Sequence, residues 1–202
     1  MTLRTVAVGL GCLALLPAAA QASSKPNFPR TVTGTISGSY SAKQGETTNK
    51  ASWTVKSVRF KLVHVRFLEN TWTGYYDVTG GTVSYSETET GPCSYSLQQT
   101  FALKTAMPKR NPSTPFYMTR NMLGRDYYGG IVQPAKRWNV TETCSDSGGG
   151  QYTNALKLEA RNLFDSGEKH FRIGQQMKGR YSYKDDYLHA TKTWTWSLKG
   201  RR

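Results

Sequence analysis

Residues 51–67, ASWTVKSVRFKLVHVRF, decide the fold. Apolar and polar residues alternate along this stretch, which predicts a strand with one buried face. The apolar set nevertheless changes face twice, near Ser57 and near Leu62, although a regular strand keeps such a set on one face. One extra residue at each point accounts for both changes. We therefore predict two β-bulges that take one long strand around a corner between packed sheets.

Strand patterns of the same kind fill the rest of the chain, because Thr, Val, Tyr and Trp alternate with polar residues between Gly and Asn/Asp clusters. The motif Thr79-Gly80-Gly81 predicts a tight reversal or a bulge. The pattern indicates an all-β, single-domain antiparallel β-sandwich or barrel-like sandwich. Besides 51–67, the predicted strands are 31–41, 71–78, 82–88, 94–103, 115–120, 131–144, 152–164, 170–183 and 187–198.

Residues 156–164 fit two patterns. Their apolar side chains have the spacing of a helical stripe, but they also alternate with Lys157, Glu159 and Arg161 as in a half-buried strand. We favour the strand, because Asp165-Ser166-Gly167 then makes a hairpin into residues 170–177. The alternative would add one short helix and leave the fold class unchanged.

A faint repeat relates the two ends of the chain. GSYS at residues 38–41 precedes Trp53, and GRYS at residues 179–182 precedes Trp194, with the same interval from tyrosine to tryptophan. Each unit has the pattern of a hairpin. The repeat predicts that Trp53 and Trp194 occupy equivalent buried positions.

The first residues have the order of a secretory signal. Arg4 is followed by an apolar run over 6–16 and by Ala20-Gln21-Ala22. We predict a signal peptide at 1–22 and a single secreted β domain at 23–202. The run is too short to span a bilayer, so no transmembrane segment is expected after cleavage. The alanine-rich end is typical of a bacterial leader, and the predicted location is secreted or periplasmic.

The cysteines then predict one disulfide. Cys12 lies in the leader, which leaves Cys93 and Cys144 in an oxidising compartment. A metal site is the alternative, but the three histidines have no zinc-like spacing with either cysteine. We therefore expect no metal and no cofactor.

Positive charge is the most distinctive feature of the composition. The formal net charge is +14, so the protein attracts polyanions. Cations interleaved with aromatic residues between Lys104 and Arg137 predict a patch for anionic groups and stacked rings. A solvated basic crossover whose rings serve the core is the alternative. The candidate binding residues are Arg120, Arg125, Tyr127, Tyr128, Lys136 and Arg137.

No sequence motif indicates catalysis. The chain lacks a nucleophile elbow, a zinc-protease helix, a phosphate loop and a dinucleotide fingerprint. A stacking platform for sugars at Trp72, Tyr75 and Tyr76 competes with core packing as an explanation of those rings.

The sequence thus predicts an exported, non-enzymatic binding protein with a basic surface. Its expected partners are anionic envelope polymers, glycans or an acidic protein surface. The alternative is a secreted hydrolase acting on cell wall or glycan. That alternative requires a concave pocket in which two carboxylates, or a histidine and a carboxylate, converge.

Overall fold

The computed structural model describes residues 24–103 and 115–201, and the predicted signal peptide at 1–22 lies outside them. These residues form an all-β domain. Its strands are β1 Thr31–Gln44, β2 Thr47–Leu68, β3 Thr71–Thr90, β4 Cys93–Ala102, β5 Phe116–Asn121, β6 Asp126–Val132, β7 Arg137–Ser145, β8 Gln151–Glu159, β9 Phe164–Asp165, β10 Lys169–Phe171, β11 Gln176–Asp185 and β12 Ala190–Arg201.

The strands form one large antiparallel sheet in the order β10-β6-β5-β3-β2-β1-β12-β11. The first part of β3 pairs with β5 and its last part with β4, which leads on through β7 to β8. Within the described residues no ladder joins the ends β10 and β11, so the sheet is not closed into a barrel. The sequence-based prediction of an all-β antiparallel fold is confirmed.

Both predicted bulges in β2 are present. The register of β2 against β3 shifts between Lys56 and Arg59 and again between Leu62 and His64. Ser57 has a φ of 52°, and Gly81 on β3 has a φ of 148°. Glycine adopts a positive φ such as that of Gly81 without steric strain, because it has no Cβ. The motif at residues 79–81 therefore makes a bulge rather than a reversal, and the predicted strands 71–78 and 82–88 are one strand, β3.

Three predicted strands are divided in the structure, and one of them, 170–183, separates into β10 and β11. The stretch 131–144 separates into β6 and β7 around Pro134, since proline cannot donate a ladder hydrogen bond. The stretch 152–164 separates into β8 and β9, and the described residues there contain no helix. The predicted turn at Asp165-Ser166-Gly167 is present, and in it the Asp165 carboxylate accepts the Gly167 N–H at 2.9 Å. It does not make the predicted hairpin, because β9 and β10 each pair with β6.

The sheet folds over a core rich in tryptophan. Trp53 on β2 donates its indole N–H to the Leu163 carbonyl at 2.8 Å, and Trp194 on β12 donates to the Asn162 carbonyl at 3.1 Å. Trp196 donates to the Tyr128 hydroxyl on β6 at 2.8 Å. These bonds fix the core side of β2 and β12 against β6 and residues 162–163.

The terminal repeat is visible as two glycine–tryptophan pairs. Gly38 on β1 lies opposite Trp53, and Gly179 on β11 lies opposite Trp196. A Cβ at either glycine would collide with the facing indole. The register therefore makes Trp196, rather than the predicted Trp194, the counterpart of Trp53, although all three indoles are buried.

The disulfide between Cys93 and Cys144 joins directly opposed residues of β4 and β7. The β4–β7 ladder has one further pair, Ser94 with Thr143. The covalent bond thus reinforces a two-pair ladder, and Trp138 of β7 adds a second link by stacking on Tyr85 of β3.

A search of the described residues for a helix that could span a membrane finds none of sufficient length and apolarity.

We expect Gly38→Ala to lower the free energy of unfolding by about 2 kcal/mol, because the added methyl overpacks the Trp53 ring. Gly80→Ala is the matched control, since a Cβ there meets nothing within 4 Å. Urea unfolding followed by tryptophan fluorescence measures both variants. Equal stability of the two variants would contradict this account of the glycine–tryptophan pair.

Cys93→Ser with Cys144→Ser should lower the free energy of unfolding by about 2–4 kcal/mol, because the bond closes a long loop in the unfolded chain. The two cysteines are separated by 51 residues. Chemical denaturation of the oxidised, reduced and substituted proteins measures the effect. Unchanged stability on reduction would show that the β4–β7 contact persists without its covalent link.

Candidate functional site

One face of the sheet consists almost wholly of hydroxyl side chains. Because side chains alternate between faces along a strand, every second residue of β11, β12, β1, β2, β3 and β4 lies on this outward side. Cross-strand register places them in three rows, which we call the hydroxyl face. The rows are Arg180, Thr195, Ser37, Thr54, Ser84 and Thr100; then Ser182, Thr193, Ser39, Ser52, Ser86 and Gln98; then Lys184, Thr191, Ser41, Lys50, Thr88 and Ser96.

The hydroxyl face carries positive charge without an acid. Its residues other than serine and threonine are Gln98 and the cations Lys50, Arg180 and Lys184, and none of its side chains is buried. In the part of β3 that crosses this face, the carboxylates Glu87 and Glu89 occupy the alternate positions on the opposite side. The strand period therefore separates cations from anions across the thickness of the sheet.

Regular spacing allows many hydroxyls to act together. Neighbouring rows and strands place them about 5 Å apart across the sheet and about 7 Å apart along it. Two cross-strand hydroxyl contacts are formed, between Ser37 and Thr54 at 3.5 Å and between Ser182 and Thr193 at 3.2 Å. Each hydroxyl can donate once and accept twice, so the face retains capacity for a ligand.

An open depression of about 580 Å³ lies on this face over β1 to β4. Ser37, Ser52, Thr54, Ser84 and Ser86 are among the residues that line it. The lining contains no carboxylate, histidine or cysteine, and its tyrosine, Tyr85, is buried with its hydroxyl donated to Glu87. The depression can hydrogen-bond a polar chain through its hydroxyl and amide groups.

The binding residues predicted from the sequence, Arg120 to Arg137, are not part of the hydroxyl face. The sequence does contain a pattern that indicates this face, which is the alternation of serine and threonine with core residues. Ser37, Ser39 and Ser41 alternate with core residues, and Ser84, Ser86 and Thr88 do the same. Recognising the face requires aligning the outward positions of six strands. A run of cations such as that between Lys104 and Arg137 is visible in one stretch of sequence, whereas the hydroxyl face is divided among six strands.

Arg120 of the predicted patch is held by an ion pair. Its Nε and Nη2 donate to the two oxygens of Asp126 at 2.6 and 2.7 Å, and this hydrogen bonding raises the pKa of Arg120. Asp126 is buried and also accepts the Ile173 N–H at 2.8 Å. The pair therefore ties β5, β6 and residue 173 together.

The other cations of the predicted patch are far apart. Arg125 is exposed in the turn before β6, whereas Lys136 and Arg137 lie beyond its other end. The length of β6, Asp126–Val132, places these groups roughly 20 Å or more apart. Arg137 also pairs with Glu159 at 2.6 Å on the surface. Among the described residues, the candidate cations Arg120, Arg125, Lys136 and Arg137 do not form one cluster, and the part of the predicted patch at 104–114 lies outside those residues.

The aromatic candidates also separate. Tyr127 is half-buried and its ring lies 4.2 Å from that of His170. Tyr128 points the other way and is buried in the core. Tyr76, from the alternative sugar platform, is likewise buried and donates its hydroxyl to the Pro29 carbonyl at 2.9 Å. Tyr76 and Tyr128 thus have no exposed face on which a ring or base could stack.

A buried polar network surrounds Glu87 on the core side of β3. Its carboxylate accepts the Tyr85 hydroxyl at 2.5 Å, the Tyr95 hydroxyl at 3.3 Å and Arg161 Nη2 at 2.5 Å. Arg161 Nη2 also donates to Asn49 Oδ1 at 3.0 Å. The charge of Glu87 is thus compensated, and its role is to hold Arg161 against the sheet.

A cavity of about 190 Å³ opens beside this network. Tyr40, Asn49, Glu89 and Arg161 line it, and the Arg161 guanidinium lies 3.6 Å from the centre of the Tyr40 ring. Glu89 is the one carboxylate among the residues that line it. Hydrolysis of a glycosidic bond ordinarily uses two carboxylates, so this cavity lacks one of the pair that such a hydrolase needs.

Burial controls the titration of nearby tyrosines. Loss of hydration raises the pKa of Tyr85 far above its usual value, and the hydrogen bond to Glu87 raises it further. Burial also raises the pKa of Tyr95, with the charge of Glu87 next in importance. Burial alone raises the pKa of Tyr76. These three phenols therefore ionise at higher pH in the folded protein than an exposed tyrosine does.

Metal-ligating groups converge at one place among the described residues. Atoms of Cys93, Glu142 and Cys144 lie within 4.8 Å of one another, but the disulfide uses both sulfurs, and a thiolate is what a metal requires. His64 stacks on Tyr75 at 4.5 Å, and His189 is exposed with a φ of 45°.

No protein-family model matches this chain, and neither a curated protein nor a solved structure matches it.

Alkaline titration tests the burial of the tyrosines. Unfolded tyrosine ionises near pH 10. The stability that the raised pKa values of Tyr76, Tyr85 and Tyr95 supply is therefore complete below about pH 10 and is lost as the pH rises above it. We expect the free energy of unfolding to fall there, with part of the phenolate absorbance appearing only as the sheet unfolds.

The exposed Tyr187 provides the control, because Tyr187→Phe should not change the alkaline unfolding transition. Ionisation of all 12 tyrosines near their usual pKa, with the circular dichroism of the sheet intact, would contradict the burial argument.

Proposed function

We propose that this is an exported, non-enzymatic protein that binds anionic glycans of a cell envelope through its hydroxyl face. The observation that carries the proposal is the composition of three cross-strand rows in which hydroxyls surround Lys50, Arg180 and Lys184 without a carboxylate. Hydroxyls can exchange hydrogen bonds with a sugar, and the cations can contact its acidic groups. The net charge of +14 strengthens the attraction at longer range.

The chemistry of the face favours a glycan over a nucleic acid. Single-stranded nucleic acids are held by aromatic rings on which their bases stack. The three rows contain no aromatic residue. A glycan chain instead presents repeating hydroxyls, which a regular array of serine and threonine can match.

Export is supported by the covalent chemistry of the domain. A disulfide such as Cys93–Cys144 is typical of oxidising compartments outside the cytosol. The order of charged, apolar and small residues at 1–22 agrees with that location.

Binding without catalysis is supported by the state of two buried acidic groups and by the composition of the hydroxyl face. Glu87 is compensated by Arg161, and Asp126 is compensated by Arg120. A hydrolase needs carboxylates that can exchange protons with a substrate. The hydroxyl face presents none.

Substitution of the three cations tests the proposal. We expect Lys50→Gln, Arg180→Gln and Lys184→Gln together to weaken binding to a carboxylated or sulfated polysaccharide about tenfold, since each exposed cation contributes up to about 1 kcal/mol. The matched control is Arg125→Gln, Lys136→Gln and Arg137→Gln, which removes the same charge elsewhere. Affinity chromatography over a salt gradient compares them at equal net charge.

If the control substitutions at Arg125, Lys136 and Arg137 weaken binding more, the glycan binds at the patch predicted from the sequence. That result would contradict binding through the hydroxyl face. The hydroxyls are tested at constant charge with Ser52→Ala and Ser86→Ala, which should weaken glycan binding. Ser145→Ala with Ser147→Ala, outside the face, should leave it unchanged.

A further inference from the structure

A second surface lies at the other end of the β2–β3 ladder, where two turns meet. One turn joins Leu68 of β2 to Thr71 of β3, and the other joins β5 to β6. The Met122 N–H donates to the Asn70 carbonyl at 3.1 Å, which holds the turns side by side. We call the apolar side chains of this end the apolar tip: Phe67, Leu68, Trp72, Met122 and Leu123.

The apolar tip is exposed where turns normally carry polar residues. Phe67, Leu68 and Leu123 have 47%, 52% and 77% of their surface exposed. The rings of Phe67 and Trp72 pack on each other at 4.8 Å between centroids. Grouped exposed apolar side chains of this kind mark an interaction site.

The backbone holds these side chains outward. Glu69 and Asn70 have φ values of 48° and 61°, as the two central residues of a tight type I′ hairpin turn do. In the other turn, the Gly124 N–H donates to the Asn121 carbonyl at 2.9 Å, and the Arg125 N–H donates to Asn121 Oδ1 at 3.0 Å. Turns braced in this way do not let Leu68 and Leu123 fold back into the core.

Cations flank the apolar tip. Arg66 and Arg125 are exposed beside it, and Glu69 is the acidic residue in the turn. Asp126 is nearby but is already paired with Arg120. Guanidinium groups around protruding apolar side chains match the boundary of an anionic bilayer, where phosphates lie above the acyl chains.

We propose that the apolar tip docks on the surface of an anionic phospholipid bilayer. Phe67, Leu68 and Leu123 enter the boundary between headgroups and acyl chains, and Arg66 and Arg125 contact lipid phosphates. Trp72 lies at the headgroup level, where tryptophan is enriched in membrane proteins. Two turns are too narrow for a stable protein–protein interface, which buries about 800 Å² on each partner. A few inserted side chains and cations suffice for reversible attachment to lipid.

Vesicle binding by the purified protein tests this proposal. Co-sedimentation with phosphatidylcholine vesicles, with and without phosphatidylglycerol, should show binding that increases with the anionic lipid. Leu68→Ser with Leu123→Ser should lower the partition coefficient at least about tenfold, because both side chains lose apolar area that lipid would bury. The matched control is Val63→Ser with Ile131→Ser, at side chains 55% and 48% exposed outside the tip.

Tryptophan fluorescence gives an independent measurement of depth. Trp53, Trp138, Trp194 and Trp196 are buried, whereas Trp72 is partly exposed. Brominated lipids should therefore quench Trp72, and Trp72→Phe should abolish most of the quenching. Glu69→Gln should strengthen binding to anionic vesicles, because it removes the acid from the tip.

Absence of vesicle binding by the parent protein, or an equal loss in the Val63 and Ile131 control, would overturn the proposal. Binding to phosphatidylcholine alone at full strength would remove the role assigned to Arg66 and Arg125. The Leu68 and Leu123 variant should keep its glycan binding, so failure here is distinct from failure of the hydroxyl face.

Discussion

The bend in the β2–β3 ladder is the constraint on which the other features of this protein depend. Bulges at Ser57 and Gly81 let two long paired strands serve two regions of one sheet. Before the bend, β2 lies between β1 and the part of β3 that pairs with β4. Beyond it, the same ladder continues to the turn at residues 69–70 beside β5. Without the extra residues, the apolar set of β2 would change sides and could not remain in the core.

Buried polar bonds then fix how the sheet folds over itself. Trp53 and Trp194 donate to successive carbonyls at residues 162–163, and Arg161 is held by Glu87. A segment without regular structure can lie in the core only if its backbone groups find such partners. The buried tryptophans are therefore structural: Trp53, Trp194 and Trp196 each contribute a large apolar surface and one directed hydrogen bond.

The same alternation that builds the core also sorts the functional groups. On β3, Tyr85 and Glu87 point inward, whereas Ser84 and Ser86 point outward. Repeated over six strands, this pattern gives a cationic hydroxyl surface without any carboxylate. The apolar tip lies at the opposite end of the β2–β3 ladder. If both proposals hold, one protein presents a glycan-binding face and a lipid-binding end, as suits attachment within a cell envelope.

The sequence by itself determined the local features: strand content, both bulges of β2 and the pairing of Cys93 with Cys144. Each depends on the period of a single strand or on the number of available thiols. Tertiary structure alone decided that Tyr128 is buried, that Arg120 is bound to Asp126 and that serines of six strands share one face. These outcomes depend on which strands become neighbours and in what register. Most of these contacts join residues that are distant in the chain, and even the Arg120–Asp126 pair, six residues apart, requires the register of the β5–β6 hairpin. A pattern within a single strand cannot specify them.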